Sequence, residues 1–388
     1  MRISRKTIWS ALTSFQLAIA CLALLMVLVV ACTLAQVELG TYAAVHKFMN
    51  CFVVWWHVPG TALKLPVFPG GATVGTVLVL NLVAAQLKRI QLNWRQLGLW
   101  IVHAGLVLLM VGQFVSGAMQ VEMRMAIEQG QTLSYLESPR DMELVITDGT
   151  DPKFDDEYAI PESMLERLGS VAIPGTPLTV NVRDYYRNAK LGMRQPNDPP
   201  SPATAGIGPQ VAVQELPPVT ADDAFDTRAV FVEPVAAGKS YGTWLVSPAL
   251  GAPQMFFHEG RKYQLSMRPR RQSLPYALTL KKFSHDVYLG TDVPKNFSSL
   301  VHLSNPARGE ERDVLIYMNS PLRYGGKAFY QASFGKNDTL SILQVVDNPG
   351  WLLPYISCAM VALGLVIHFA MSLRRGLRRQ ASLAGSAS

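Results

Sequence analysis

The chain has 388 residues with Lys+Arg 35 and Asp+Glu 28, a formal charge of +7, and only 16% charged residues, well below the roughly 25% usual for soluble domains. Four windows hold no Asp, Glu, Lys or Arg (7–37, 65–87, 96–121 and 348–373), and the other 282 residues carry all 63 charges. That distribution argues against a wholly soluble protein and against an all-membrane transporter. The excess base lies beside the uncharged windows, so it reads as a topology signal and not as a nucleic-acid footprint.

A helix needs about 20 apolar residues to cross a hydrocarbon core of roughly 30 Å. Each uncharged window supplies such a run, predicting spans at 17–35, 70–87, 97–117 and 351–371. The second is the weakest, with Gly, Thr and Asn in it. Basic residues cluster before the first span (Arg2, Arg5, Lys6), between the second and third (Lys88, Arg89, Arg95) and after the fourth (Arg374, Arg375, Arg378, Arg379). By the positive-inside rule all three clusters are cytoplasmic only if the chain crosses four times. This predicts a multi-pass plasma (inner) membrane protein with cytoplasmic termini at 1–16 and 372–388 and a cytoplasmic turn at 88–96. An outer loop 36–69 and a large domain 118–348 then lie on the periplasmic or extracellular side. Val29-Val30-Ala31-Cys32 has the look of a lipoprotein processing box, but three later spans make cleavage unnecessary for export.

Cys21, Cys32 and Cys358 fall in spans and Cys51 in the first outer loop, so the large domain has no disulfide and must rest on its own core. No CxxC or CxxCH occurs, which speaks against thiol–disulfide exchange in this chain and against its being a c-type cytochrome. Segment 118–348 alternates apolar and polar residues over short runs bounded by Gly, Pro, Asn and Asp. Examples are MELVIT (142–147), LTVNVRDYY (178–186), DVLIYMN (313–319) and KAFYQASF (327–334). The period of two predicts half-buried strands in a β-sandwich or open barrel. The fold class is thus membrane α + β: four transmembrane helices and an all-β domain between the third and fourth. The Pro-rich stretch 194–210 reads as a linker that divides two sub-domains, and VEMRMAIEQG after the third span as a short helical continuation.

Within the C-terminal third the segments KKFSHDVYLGTDVPKNFSSLVHL (281–303), MNSPLRYGGKAFYQASFG (318–335) and DNPG (347–350) follow one another. In this order they resemble the ResB/CcsB family of cytochrome c biogenesis proteins (System II). Asn319, Pro321, Leu322, Tyr324, Gly326, Tyr330, Gln331 and Ser333 match the family's N-x-P-L…Y-x-G…Y-Q-x-S pattern, and Asp347, Pro349 and Gly350 its entry to the last helix. The resemblance implies a subunit of a haem-export and cytochrome c maturation complex. Such a subunit works with a ResC/CcsA-type polytopic partner, carries haem b across the membrane and presents it to apocytochrome c. Family members use an intramembrane histidine with one from the partner to hold haem. Seven Trp are present without a tryptophan-rich cluster, so the chain looks like the ResB half alone, at most a subunit of a cytochrome c synthase.

Ionisable residues within a span raise a functional hypothesis. His103 stands six residues past Leu97 and His368 six before Arg374, each about 9 Å from the same membrane edge at 1.5 Å per residue. Neutral imidazole is a standard haem axial ligand. His103 is the stronger candidate and also matches the family; His368 is close enough to the arginines to snorkel. The plainer role for either is a hydrogen bond to a neighbouring helix. Gly98, Gly105 and Gly112 recur every seven residues as a small-residue seam for close packing, with His103 about 200° around the helix from Gly105. His46 and His57 flank an aromatic stretch suited to the membrane interface. His258, His285 and His302 fit no metal motif and read as surface or turn residues. Asn81 and Gln113 read as interhelical hydrogen-bonding groups. No nucleophile–base constellation or phosphate loop appears, and the motif residues read as structural rather than catalytic. The competing function is a cofactor-free, membrane-tethered β-scaffold for envelope or respiratory complex assembly. A self-contained haem electron carrier built on His103 and His368 is a lesser third.

Overall fold

The computed structural model describes residues 5–57, 61, 63–88, 94–151, 153–219, 225–290, 294–336 and 338–386. Arg2, Arg89 and residues 291–293 of the motif segment lie outside these. Two units separate: a helical one, chiefly Met1–Val121 and Asp347–Ser388, and a β unit of Glu122–Val219 and Asp223–Val346.

The helical unit begins with α1 (Arg5–Leu12) and α2 (Phe15–Phe48). Between them Ser14 caps α2 by accepting from the Gln16 N–H (3.2 Å). The hairpin β1 (Val53–His57) and β2 (Lys64–Pro69) follows, then α3 (Gly71–Lys88) and α4 (Leu97–Met119). α2 outruns the predicted span: it continues through 36–48, broken only at Gly40 (φ 73°, ψ 165°), a conformation that glycine adopts without Cβ strain. The loop 36–69 is therefore largely ordered, and its Val54 packs with Cys21, Leu28, Val74 and Leu78 of α2 and α3. Asn81 of α3 is buried and donates to the carbonyls of Leu12 (2.6 Å) and Ser14 (3.0 Å). It thus satisfies the chain break between α1 and α2, an interhelical use of the kind expected for it. Gln113 is exposed.

The β unit comprises β3 (Val121–Glu128), β4 (Thr132–Asp148), β5 (Asp156–Pro161), the turn helix α5 (Glu162–Leu165), β6 (Ser170–Ala172), β7 (Leu178–Tyr186), β8 (Ala189–Met193) and β9 (Val211–Glu215). It continues with β10 (Ala229–Ala236), β11 (Lys239–Ser240), β12 (Trp244–Val246), β13 (Gln254–His258), β14 (Arg261–Val287), β15 (Pro294–Asn305), β16 (Glu310–Tyr317), β17 (Leu322–Tyr324), β18 (Lys327–Gly335) and β19 (Leu340–Asp347). The last helix, α6 (Leu353–Ser386), returns to the helical unit. α2, α3, α4 and α6 over Leu353–Arg378 are long and apolar enough to cross a membrane by length and composition, which fits a membrane protein.

One sheet runs β16-β15-β14-β4-β3-β19-β18-β17. Its two ends meet through the Tyr317–Ser320 bridge, so it curls into a nearly closed barrel. Leu136, Leu278, Leu280, Val301, Leu303, Phe329, Leu343 and Val345 fill its interior. A second sheet, β11-β10-β7-β6 with β12 on β10, shares a separate core with the far ends of β4 and β14: Leu144, Ile146, Val180, Val230, Val232, Tyr263 and Leu265. β4 and β14 thus serve both lobes. β14 manages this through irregularities at Pro269/Arg271 and Ser273/Leu278, where bulges turn the strand.

Two expectations are corrected. Segment 121–128 is strand β3 rather than a helical continuation, because Met123, Met125 and Ile127 alternate into the barrel core. The Pro-rich stretch 194–210 does not divide the lobes. Ala203 is buried beside Phe231 and Leu245, and Ser201 donates to the Gly208 carbonyl (2.9 Å), so this stretch packs as an ordered loop and the long strands make the join. In the second lobe Arg228 is buried and ties three segments together. It donates to Glu162 (3.0 Å), to the Asp226 carbonyl (3.0 Å) and to the Arg140 carbonyl (2.5 Å). Burial and the hydrogen bond to Glu162 push the Tyr185 hydroxyl pKa well up.

Candidate functional site

α4 has two unlike faces. On one, Gly98, Gly105 and Gly112 are buried against α6. A Cβ on Gly98 would lie 2.5 Å from the His368 backbone N and 2.6 Å from the Gly364 carbonyl. One on Gly105 would lie 2.8 Å from Val361 Cγ2, and one on Gly112 2.8 Å from Leu353 Cβ. Gly364 reciprocates, its added Cβ falling 2.8 Å from the Gly98 carbonyl. The two helices therefore pack antiparallel with backbones in contact, which only the missing Cβ atoms permit. At the other end of the seam Asn348 Nδ2 donates to Ser116 Oγ (3.2 Å) and Gln120 Oε1 (3.3 Å), while its Oδ1 accepts from the Gly350 N–H (2.8 Å). This gives the D-N-P-G segment a concrete job: it fastens the entry of α6 to the end of α4.

The opposite face carries His103 with Leu99 (42% exposed), Leu106 (42%) and Phe114 (69%). The ring is half-buried and its Nδ1 lies 2.8 Å from the Leu99 carbonyl of its own helix. A carbonyl can only accept, so Nδ1 carries the proton and Nε2 keeps its lone pair in the neutral ring. No protein group meets that nitrogen among the described residues. A helix-fixed tautomer with a free Nε2 on an apolar face is what an axial haem ligand requires chemically.

His368 is level with Gly98, and its ring packs edge-on to Phe369 (centroids 5.9 Å, 68°). His103 stands five residues further along α4, about 7.5 Å of helix rise. No hydrogen bond or ring contact joins the two histidines among the described residues, so the structure does not bring them together as a ligand pair. Nor does any group of three or more His, Cys, Asp or Glu stand ready for a bare metal ion among those residues. All four cysteines are free.

The motif residues lie in the barrel lobe. Asn319 takes φ 63° in the β16–β17 turn, which asparagine tolerates better than most residues. Pro321 leads into β17, and Leu322 is buried in the barrel core. Gly325 and Gly326 both have positive φ (58° and 78°) in the two-residue β17–β18 hairpin, the geometry favoured there. The Tyr324 hydroxyl donates to Glu310 (2.8 Å) and accepts from Asn305 (2.8 Å), with its ring edge-on to Tyr276 at 4.8 Å. The Tyr324 hydroxyl and Arg312 hold the Glu310 carboxyl below its ordinary value. Phe329 is fully buried and Tyr330, on the other face, half-buried, as strand alternation dictates. Gln331 points inward, accepting from Ser299 Oγ (2.6 Å) and donating to Ser341 Oγ (3.1 Å).

Two histidines read as surface or turn residues are not. His258 is buried and bonded to the Tyr241 hydroxyl (2.5 Å). His285 is 11% exposed, beside Asp338. The signal was masked by a bulge between Leu280 and Lys282: before it Tyr276, Leu278 and Leu280 face the core, after it Phe283 does, and His285 shares the Phe283 face.

Residues 252–343, from the approach to β13 into β19, match the ResB-like family. The chain is similar to ResB-like proteins. Protein NrfI of Wolinella succinogenes is 24% identical over 294 residues, which are 75% of this chain and 29% of NrfI. The chain thus spans less than a third of the length of that relative. The ResB-like segment holds every N-x-P-L…Y-x-G…Y-Q residue, much of the barrel core, His285 and Asp338, while His103 lies outside it.

Proposed function

We propose that this chain is a membrane subunit of cytochrome c biogenesis of the System II kind, taking haem as cargo on the open face of α4 through His103. The ResB-like match and the similarity to NrfI support the biogenesis role. The free Nε2 of His103, its tautomer set by the Leu99 carbonyl, is the observation that carries the haem reading. Because His368 does not reach His103, the second axial ligand comes from another chain, a ResC/CcsA-type partner. The apolar neighbours Leu99, Leu106 and Phe114 give that partner or the porphyrin a surface. By the basic clusters the β unit lies outside the cytoplasm, where apocytochrome c receives its haem. The chain's own part is to bind and orient; the Nδ1–H bond keeps the ring from turning its protonated nitrogen to the iron.

Deleting the protein and staining cells for covalently bound haem tests the role. Loss of c-type cytochromes, restored by the wild-type chain and not by His103→Ala, is expected. Normal c-type cytochromes after deletion would favour the cofactor-free scaffold instead.

A further inference from the structure

We propose that the β1–β2 hairpin is an interfacial anchor, seated in the lipid–water boundary of the leaflet opposite Lys88; the proposal is independent of haem. The hairpin is rooted at the start of α3. The Gly70 N–H donates to the Phe52 carbonyl (2.9 Å), the Ala72 N–H to the Cys51 carbonyl (3.2 Å) and the Thr73 hydroxyl to the Phe52 carbonyl (2.6 Å). A Cβ on Gly70 would collide with the Cys51 carbonyl, so this close approach needs glycine. Lys88 ends α3 after 18 residues, about 27 Å of rise and close to the roughly 30 Å of a hydrocarbon core. The root of the hairpin therefore stands at the membrane edge away from Lys88.

The side chains suit that level. Val54 and Phe68 pair across the strands, Val54 buried in the cluster of α2 and α3 and Phe68 packed against it. Farther out, Trp56 opposite Leu65 continues the same face, and both are exposed (53% and 40%). Successive strand residues point to opposite faces, so Trp55 (47%) lies on the reverse face, and Val67 at the bulge beside it is 60% exposed. The sequence carries no charge over 48–63, between Lys47 and Lys64, and both lysines are exposed. A two-stranded sheet is marginal in water, and its open edges are excluded from hydrocarbon. The boundary layer meets both needs: headgroup water reaches the strand edges, and acyl chains cover apolar side chains to the depth of about 5–10 Å that interfacial helices reach. Trp is enriched in that layer, and the two lysines bracket the patch as cations that suit lipid phosphates. A protein partner covers one face of a sheet; exposed apolar side chains on both faces favour the lipid boundary.

The test uses the full-length chain reconstituted in phosphatidylcholine vesicles, with tryptophan fluorescence compared between wild type and Trp55→Phe/Trp56→Phe. The difference isolates this pair from the rest of the seven tryptophans. That difference emission is expected to be blue-shifted, and to be quenched more by phosphatidylcholine brominated on its acyl chains than by iodide supplied on both sides of the vesicle. The single variants Trp55→Phe and Trp56→Phe carry the same comparison if the double variant does not fold by circular dichroism. Emission reached by iodide and not by the brominated lipid overturns the anchor. If it stays so, the hairpin stands in water; if a partner protein then shields it from iodide, the hairpin is a protein-docking surface.

Discussion

The helical unit and the β unit bury their polar groups in opposite ways. In the helical unit α4 packs on α6 backbone against backbone at Gly98 and Gly364, and most apolar side chains of the spans stay outward. Its unmet imidazole nitrogen, on His103, is on that outward face. The β unit has two side-chain cores and closed polar networks, such as Glu162–Arg228–Asp226 and Ser299–Gln331–Ser341. Its unmet imidazole nitrogen, on His285, is covered. In a span an unpaired donor or acceptor is costly, and the proposed function answers that cost at His103 with cargo. In the β unit the same lack is shared, among the described residues, with the buried Tyr263 hydroxyl and Asn305 Oδ1.

The largest effect expected from this contrast is in the second lobe. Arg228→Ala leaves the largely buried Glu162 carboxylate without its counter-charge, held only, among the described residues, by the Met142 N–H and the Tyr185 hydroxyl, and is expected to cost about 3–5 kcal/mol, read as a fall in the β unit's unfolding temperature. An unchanged temperature would mean that the network is not a structural clip. Next, Gly98→Leu forces a side chain into the α6 backbone and should cost about 1–3 kcal/mol or more. Gly117→Leu, where an added Cβ meets nothing within 4 Å, should be silent on the same helix. Thermal unfolding of the detergent-solubilised chain separates the two, and equal losses would contradict the seam.

Much of this contrast was legible in the sequence. The uncharged windows locate the spans, and the seven-residue glycine repeat names the α4 face that packs. The motif order reveals the ResB-like segment. What the sequence hid has identifiable causes. Helix α2 runs past its charge-free window because Glu38 and Lys47 do not stop a helix, and only Gly40 breaks it. Strand β3 reads as a helical continuation because it follows a span directly, yet Met123, Met125 and Ile127 alternate at the strand period. His285 was hidden by the bulge that shifts its face, and its partner Asp338 is 53 residues away in sequence.

Smaller effects sharpen the motif's role. Tyr324→Phe removes the bonds to Glu310 and Asn305 and should cost about 1 kcal/mol in β-unit stability while leaving haem binding unchanged. A haem defect with normal stability would make Tyr324 functional. Acid should act most gradually. The hydrogen bonds from Arg268 hold Glu157 below the ordinary 4.5, and those from Ser240 and Arg183 do the same for Glu233. A depressed carboxylate contributes stability that is complete above its unfolded value and lost as pH falls through the folded one. The β unit's unfolding temperature should therefore be flat near neutrality and decline below about pH 4.5; a rise on acidification would contradict these pairings.

The central claim is that the His103 Nε2 receives iron. The most direct measurement is the reduced absorption spectrum of this chain co-purified with its ResC/CcsA-type partner, for wild type and for His103→Gly, with and without free imidazole. A b-type spectrum that His103→Gly abolishes and imidazole restores is the predicted result. A complex that is colourless, or whose spectrum is indifferent to His103, would contradict the account.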